Sequence, residues 1–228
     1  MTEDQIRIFS LGDTALTVEF GNTISVSINE KAIQLADDLE QNPFPGFIEA
    51  VPSYASTTVF YDVITVRKNF SDFPTAFEAV NTIAAHRSNS LTARPSRPPR
   101  CIEIPIHTDS DAAPDLGEVA ERSRLSPETV IEIFTATPYR VYMLGFLPGF
   151  TYMGEVAEQI ATPRKETPRT IVPKGSVGIA GRQTGIYSLE SPGGWQIIGR
   201  TDVEMFTPNA ETPSFLRPGD EVRFVAVR

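Results

Sequence analysis

Two pieces of the chain, Met143–Phe150 (MLGFLPGF) and Thr162–Thr201 (TPRKETPRTIVPKGSVGIAGRQTGIYSLESPGGWQIIGRT), decide its fold class. Between Met143 and Thr201 lie ten of the fifteen glycines and the only tryptophan, Trp195. Glycine and proline at this density are turn chemistry rather than helix chemistry. The apolar runs between the turns are short: Ile171-Val172, Val177–Ala180 and Gln196–Ile198. Short strands joined by tight turns predict a barrel or sandwich whose loops carry polar groups.

Working outward, Tyr139–Leu144 reads as a strand feeding the Gly145–Phe150 turn. Pro114–Arg122 and Ser126–Thr135 read as helices, the second with Ser126 at its N-cap, Pro127 in its first position and Glu128 in its first turn. Cys101–Ile106 alternates like a strand, and Cys101 is expected to be a small buried residue there. Leu216–Phe224 reads as a turn and a closing strand.

Residues 94–100 (RPSRPPR) have a linker's composition, stiffened by proline. Before them, Ile6–Ile8 and Ala15–Phe20 read as strands around a Leu11-Gly12-Asp13 turn, the second alternating with period 2. Asn29–Gln41 reads as a helix with Asn29 as N-cap. Phe47–Val51 and Thr57–Tyr61 read as further strands. A second helix is placed from Ser71 or Asp72, with Pro74 in its first turn and Phe73, Phe77, Val80 and Ala84 facing inward. The expected organisation is therefore an α+β sandwich domain over 1–93, a linker over 94–100 and a mainly-β domain over 101–228.

The formal net charge of −9 argues against a general nucleic-acid binder. No run approaches a membrane span, and the acidic start MTEDQIRIFS has no apolar signal core. One cysteine and two histidines make neither an internal disulfide nor a zinc centre, so no metal site is expected. A cytoplasmic protein with no membrane partner follows. The Walker, dinucleotide-binding and Gly-x-Ser-x-Gly patterns are all absent, and no catalytic residue can be assigned.

What remains is a basic stretch in an acidic protein. Arg164, Lys165, Arg169, Lys174, Arg182 and Arg200 can hold carboxylate or phosphate. Gln183 and Tyr187 add orienting hydrogen bonds, Ser176 stands beside Lys174, and Gly175 allows close approach of a ligand to backbone. Phe146, Pro148, Phe150, Tyr152 and Trp195 are candidates for a pocket or a partner interface. An anionic small molecule is the expected ligand class.

MLGFLPGF, the paired TPR triplets, VPKGSVGIAG, QTGIY and SPGGWQIIGRT together resemble the 5-oxoprolinase B-subunit family, also called KipI-like or allophanate hydrolase subunit 1. GDTALTVEFG (12–21) and VPSYASTTVFYD (51–62) extend the likeness into the N-terminal half. Two loops depart from the family pattern: Phe134–Thr137 has no histidine, and His107–Asp111 replaces a loop rich in Tyr-Gly-Gly. The resemblance implies an α+β N-terminal domain and a cyclophilin-like C-terminal β-barrel. It also implies a protein working with the C and A subunits of 5-oxoprolinase, which together use ATP with Mg to open 5-oxoproline to L-glutamate. Phosphorylation of the amide oxygen would make that coupling sensible, with Arg164, Arg169, Lys174 and Arg182 as the cations. Two other roles within the family are inhibition of a sensor histidine kinase and carboxyl transfer in a urea carboxylase or allophanate-type system.

Overall fold

The structure, a computed structural model, describes residues 6–92 and 97–227; residues 94–96 of the expected linker lie outside the described residues. The chain divides into two compact units, Met1–Pro98 and Pro99–Arg228. The first is α+β and the second is built on a closed barrel, the architecture expected.

In the first unit, β1 (Arg7–Ser10), β2 (Ala15–Glu19), β3 (Phe47–Pro52) and β4 (Ser56–Tyr61) form an antiparallel sheet in the order β1-β2-β4-β3. Alternation decides its buried face: Thr57, Val59 and Tyr61 of β4 are buried while Ser56, Thr58 and Phe60 are only partly so. That face shares a core with Ala32, Leu35, Ala36 and Leu39 of α1 (Val26–Gln41) and with Ala79, Val80 and Ala84 of α3 (Ala76–Ser88).

Three details differ from the sequence reading. Helix α1 starts a turn earlier, because Ser25 accepts the amide proton of Ile28. Asn29 is buried inside the helix and donates from Nδ2 to the carbonyl of Ser53, 2.9 Å away. A further short helix, α2 (Val63–Asn69), is capped by Asp62, and Thr75 rather than Ser71 or Asp72 caps α3. Phe73 and Phe77 pack against the core but are only partly buried.

The second unit begins with β5 (Cys101–His107), then α4 (Leu116–Ser123), α5 (Pro127–Ala136), β6 (Tyr139–Leu144) and β7 (Thr151–Gly154). After a 3-10 turn come β8 (Arg169–Val172), β9 (Ser176–Ala180), β10 (Gln183–Ile186), β11 (Ser191–Gly193), β12 (Gln196–Arg200) and β13 (Glu221–Val227). Seven of these strands close a barrel in the order β10-β7-β6-β13-β5-β12-β9, while β8 and β11 pair as a separate ribbon. Helix α5 begins on its Ser126 cap with Pro127 next, as its sequence dictates. Its Phe134 stacks on Phe224 with ring centres 5.0 Å apart. No helix among the described residues is long and apolar enough to cross a membrane.

The barrel closes where its first and last strands, β5 and β13, run parallel from Cys101↔Glu221 to His107↔Val227. Ile104 and Ile106 of β5 point into the core, so Cys101, on the opposite side of the alternation, is exposed rather than buried. The closing turn is held by Asp220, which is 1% exposed and accepts from Arg100 through both carboxylate oxygens and from the Arg217 amide. Asp220→Asn removes the charge that faces Arg100. It is expected to destabilise the unit by about 2 kcal/mol in urea unfolding, less than a fully buried pair because Arg100 is partly solvated. An unchanged midpoint would show that the turn holds without the ion pair.

Candidate functional site

The site is built on a bare patch of sheet. Gly178 of β9 and Gly185 of β10 stand directly opposite one another in the ladder. A Cβ on Gly185 would lie 3.1 Å from Trp195 Cζ3, 3.2 Å from Phe150 Cζ and 2.4 Å from the Thr151 carbonyl oxygen. A Cβ on Gly178 would lie 3.0 Å from Trp195 Cβ. The paired glycines thus open the space that Trp195 and Phe150 occupy.

Phe150 is the centre of the resulting aromatic cluster. Its ring meets Tyr152, Tyr187, Trp195 and Phe146 edge to face, with centroid separations of 4.9, 5.1, 5.5 and 5.6 Å. These are the favourable offsets for aromatic quadrupoles. Together with Val172, Ala180 and Ile197 the cluster forms a second small core, distinct from the main one inside the barrel. A cavity of about 230 Å³ opens above it, lined by Phe146, Phe150, Tyr152, Tyr187, Trp195 and Arg164, and closed at the rim by Pro168, Pro192, Gly193 and Gly194.

Phe146 reaches this cavity from a costly backbone conformation. Its φ is +67°, in the region that side chains avoid, and the Leu147 amide donates to the Gly145 carbonyl across it at 2.8 Å. That is a three-residue turn, a rare and strained way to end a hairpin. The Phe146 ring is nevertheless 62% exposed.

The basic residues do not share one hollow. Lys165 and Arg169 both donate to Asp115, which is 3% exposed and also accepts the Ile197 amide at 2.7 Å. Lys165 reaches Glu118 as well, at 2.8 Å. Lys174 pairs with Glu204 at 2.7 Å, and Arg182 pairs with Glu155. Arg164 differs: among the described residues no carboxylate pairs with it, and its guanidinium lies 5.8 Å from the Trp195 ring centre, at the cavity. The expectation of Arg164, Arg169, Lys174 and Arg182 acting as one cluster is therefore corrected. Each of the other three has an acid that the fold supplies, and Arg164 alone of the four lines the aromatic cavity.

Gly175 is likewise explained without a ligand. Its φ is +80°, and a Cβ there would lie 2.1 Å from the Thr201 carbonyl oxygen. The Thr201 amide donates to the Gly175 carbonyl at 2.9 Å, so the close approach is to the chain's own backbone. Ser176 is buried and begins β9, and Gln183 begins β10. Pro148 is exposed on the turn after Phe146 and does not line the cavity. Of the residues singled out in the sequence, Arg164, Tyr187, Phe146, Phe150, Tyr152 and Trp195 come together. Pro168, Pro192, Gly193 and Gly194 join them, and Asp115 holds the adjoining loop. Nothing local in the sequence marks Asp115.

Burial pushes the hydroxyls of Tyr152 and Tyr187 up, so both stay protonated at neutral pH. Burial also pushes the Asp115 carboxyl up, but the hydrogen bonds from Arg169, the Ile197 amide and Lys165 outweigh it and leave Asp115 below the ordinary carboxylate range. The cavity is thus apolar-walled, with neutral hydroxyls and one cation, and suits a small anion with a flat apolar face. Lys174 and Gly175 stand apart from it, engaged by Glu204 and Thr201.

Residues 6–216 match the family described as "Carboxyltransferase domain, subdomain C and D". A Bacillus subtilis protein named as the B subunit of 5-oxoprolinase is 44% identical over 222 residues, covering 97% of this chain and 92% of its own. The Escherichia coli O157:H7 protein of the same name is 38% identical over 219 residues, covering 96% and 95%. Among solved structures, TTHA0988 superposes with a TM-score of 0.80 at 37% identity over 98% of this chain. The present chain spans 41% of that longer one.

Proposed function

The chain belongs to the carboxyltransferase subdomain C and D family, among the 5-oxoprolinase B-subunit proteins, and on that footing we propose that it is one component of an ATP-dependent 5-oxoprolinase. In this reading it works in the cytoplasm with the C and A subunits, and the assembly opens 5-oxo-L-proline to L-glutamate. The observation that carries the reading is the end-to-end likeness to the B-subunit proteins of two bacteria. The geometry supports it by offering a cavity of about 230 Å³ with one cation at its wall, suited to a small acid; ATP with Mg enters this reading through the assembled complex.

The test is reconstitution. Co-expression with the two partner subunits is expected to yield a complex whose ATP turnover depends on added 5-oxo-L-proline, while the isolated chain shows none. An assembled complex without that dependence would count against the proposal.

A second reading, carboxyl transfer from a biotin-bearing partner, has the description of the matched family behind it. It predicts a streptavidin-reactive partner in the native complex and turnover that responds to urea or allophanate instead. Running the three substrates side by side separates the two.

A further inference from the structure

We propose that the cavity beside Trp195 is a binding site for a small flat carboxylic acid, with its planar part against the aromatic floor and its carboxylate on Arg164.

Size limits the guest first. At about 30 Å³ per water in the liquid, a cavity of about 230 Å³ has room for roughly eight waters, hence for a ligand of about that many non-hydrogen atoms. Shape limits it next: Phe150, Tyr187 and Trp195 present ring faces and edges set by their mutual packing, so the guest must be flat where it meets them. Charge decides the rest. No Asp or Glu is among the lining residues, and the one charged group is Arg164. Its neighbours Lys165 and Arg169 are bound to Asp115, and Arg164 is the cation among the lining residues. A guanidinium offers a carboxylate two parallel donors, which a lone ammonium does not.

The Phe146 turn adds an independent observation. A chain that keeps a bulky residue at positive φ, with its ring exposed, retains a local cost that a glycine would remove. The ring stands at the cavity mouth against Phe150, where it can cover the outer face of a bound flat molecule.

The identity of the guest rests on the 5-oxoprolinase reading: for that reaction the acid is the five-membered lactam acid itself, whose amide is planar and whose single carboxylate fits Arg164. The recognition chemistry of the cavity does not depend on that reading.

Trp195 is the only tryptophan, so its fluorescence reports this cavity and no other place. The full chain is titrated with 5-oxo-L-proline and with pyrrolidin-2-one, the same ring without the carboxylate, and the reconstituted complex is read by its KM. A saturable change is expected with the acid, and binding at least about tenfold weaker with the neutral ring. Arg164→Ala is expected to weaken the acid about tenfold or more, to leave pyrrolidin-2-one unchanged, and to raise KM for the acid in the complex. Arg164→Lys should recover part of the loss.

Equal binding of acid and neutral ring would overturn the proposal, as would an Arg164→Ala variant with unaltered titration and KM. If those results are negative while the complex still turns over 5-oxo-L-proline, the site assignment falls and the activity stands. If the chain binds the acid through Arg164 but the complex has no such turnover, the site stands and the reaction reading falls.

Discussion

Phe150→Ala is expected to lower the unfolding free energy of the barrel unit by about 4 kcal/mol. The side chain is 1% exposed and contacts four other rings, so the change removes its burial and leaves a hole. That hole cannot easily collapse. On one side the paired Gly178 and Gly185 have no side chains to move into it. On the other, Trp195 and Tyr187 are held by the β8–β11 ribbon and the sheet. The loss therefore belongs near the upper part of the range for aromatic truncation, with each lost edge-to-face pair adding to it. Phe150→Leu keeps much of the volume and is expected to cost about 1.5 kcal/mol. Urea unfolding of both variants checks the account. A loss below about 1.5 kcal/mol for the alanine variant would mean that the aromatic cluster is not a second core. Because Phe150 is also the cavity floor, the leucine variant should bind the proposed acid more weakly while remaining folded.

The second large effect is expected at Asp115. This carboxylate is 3% exposed, and it joins α4 to β12 through the Ile197 amide and to the 163–169 loop through Lys165 and Arg169. Asp115→Asn keeps the shape and removes the charge, leaving two cations facing a neutral amide. Breaking one side of a buried pair is costly, and partial solvation of Lys165 and Arg169 moderates it to about 3 kcal/mol. The pH dependence has a definite sign. The folded carboxyl sits below its unfolded value, so its stabilisation is complete above the unfolded value of about 4 and is lost as pH falls through the folded one. The gap in stability between wild type and Asp115→Asn should therefore be widest at neutral pH and shrink on acidification below about pH 4. A gap that stays constant to pH 2 would show that charge is not what Asp115 contributes. The same loop carries Arg164, and the Lys165 amide donates to the Gly194 carbonyl at the cavity rim. Loosening it should thus also raise KM in the complex, with no change in how Arg164 itself meets the acid.

Much of the architecture can be read from neighbours along the chain. Helix α5 follows from Ser126, Pro127 and Glu128, which act on amides within one turn. The strands β2 and β4 follow from alternation, and the crowded glycines and prolines of 143–201 are enough for short strands and tight turns. Such signals are local because they depend on contacts between residues a few positions apart. Asn29 shows the limit even at that range. Its type suits a cap, but Ser25 accepts the Ile28 amide and caps the helix, and Asn29 lies within it, donating to the Ser53 carbonyl.

The rest was settled by surfaces that meet across long stretches of sequence. The barrel closes by pairing β5 with β13 in parallel, far apart in the chain, and no pattern within either strand specifies its partner. That pairing turned Ile104 and Ile106 inward and left Cys101 outside. The basic residues make the same point most simply. Arg164 and Lys165 are adjacent and chemically alike in sequence, yet Lys165 turns to the buried Asp115 and Arg164 to the face of Trp195. Composition can show that positive charge gathers in this stretch. Which charge is neutralised and which is left for a guest depends on where a distant helix places its carboxylate.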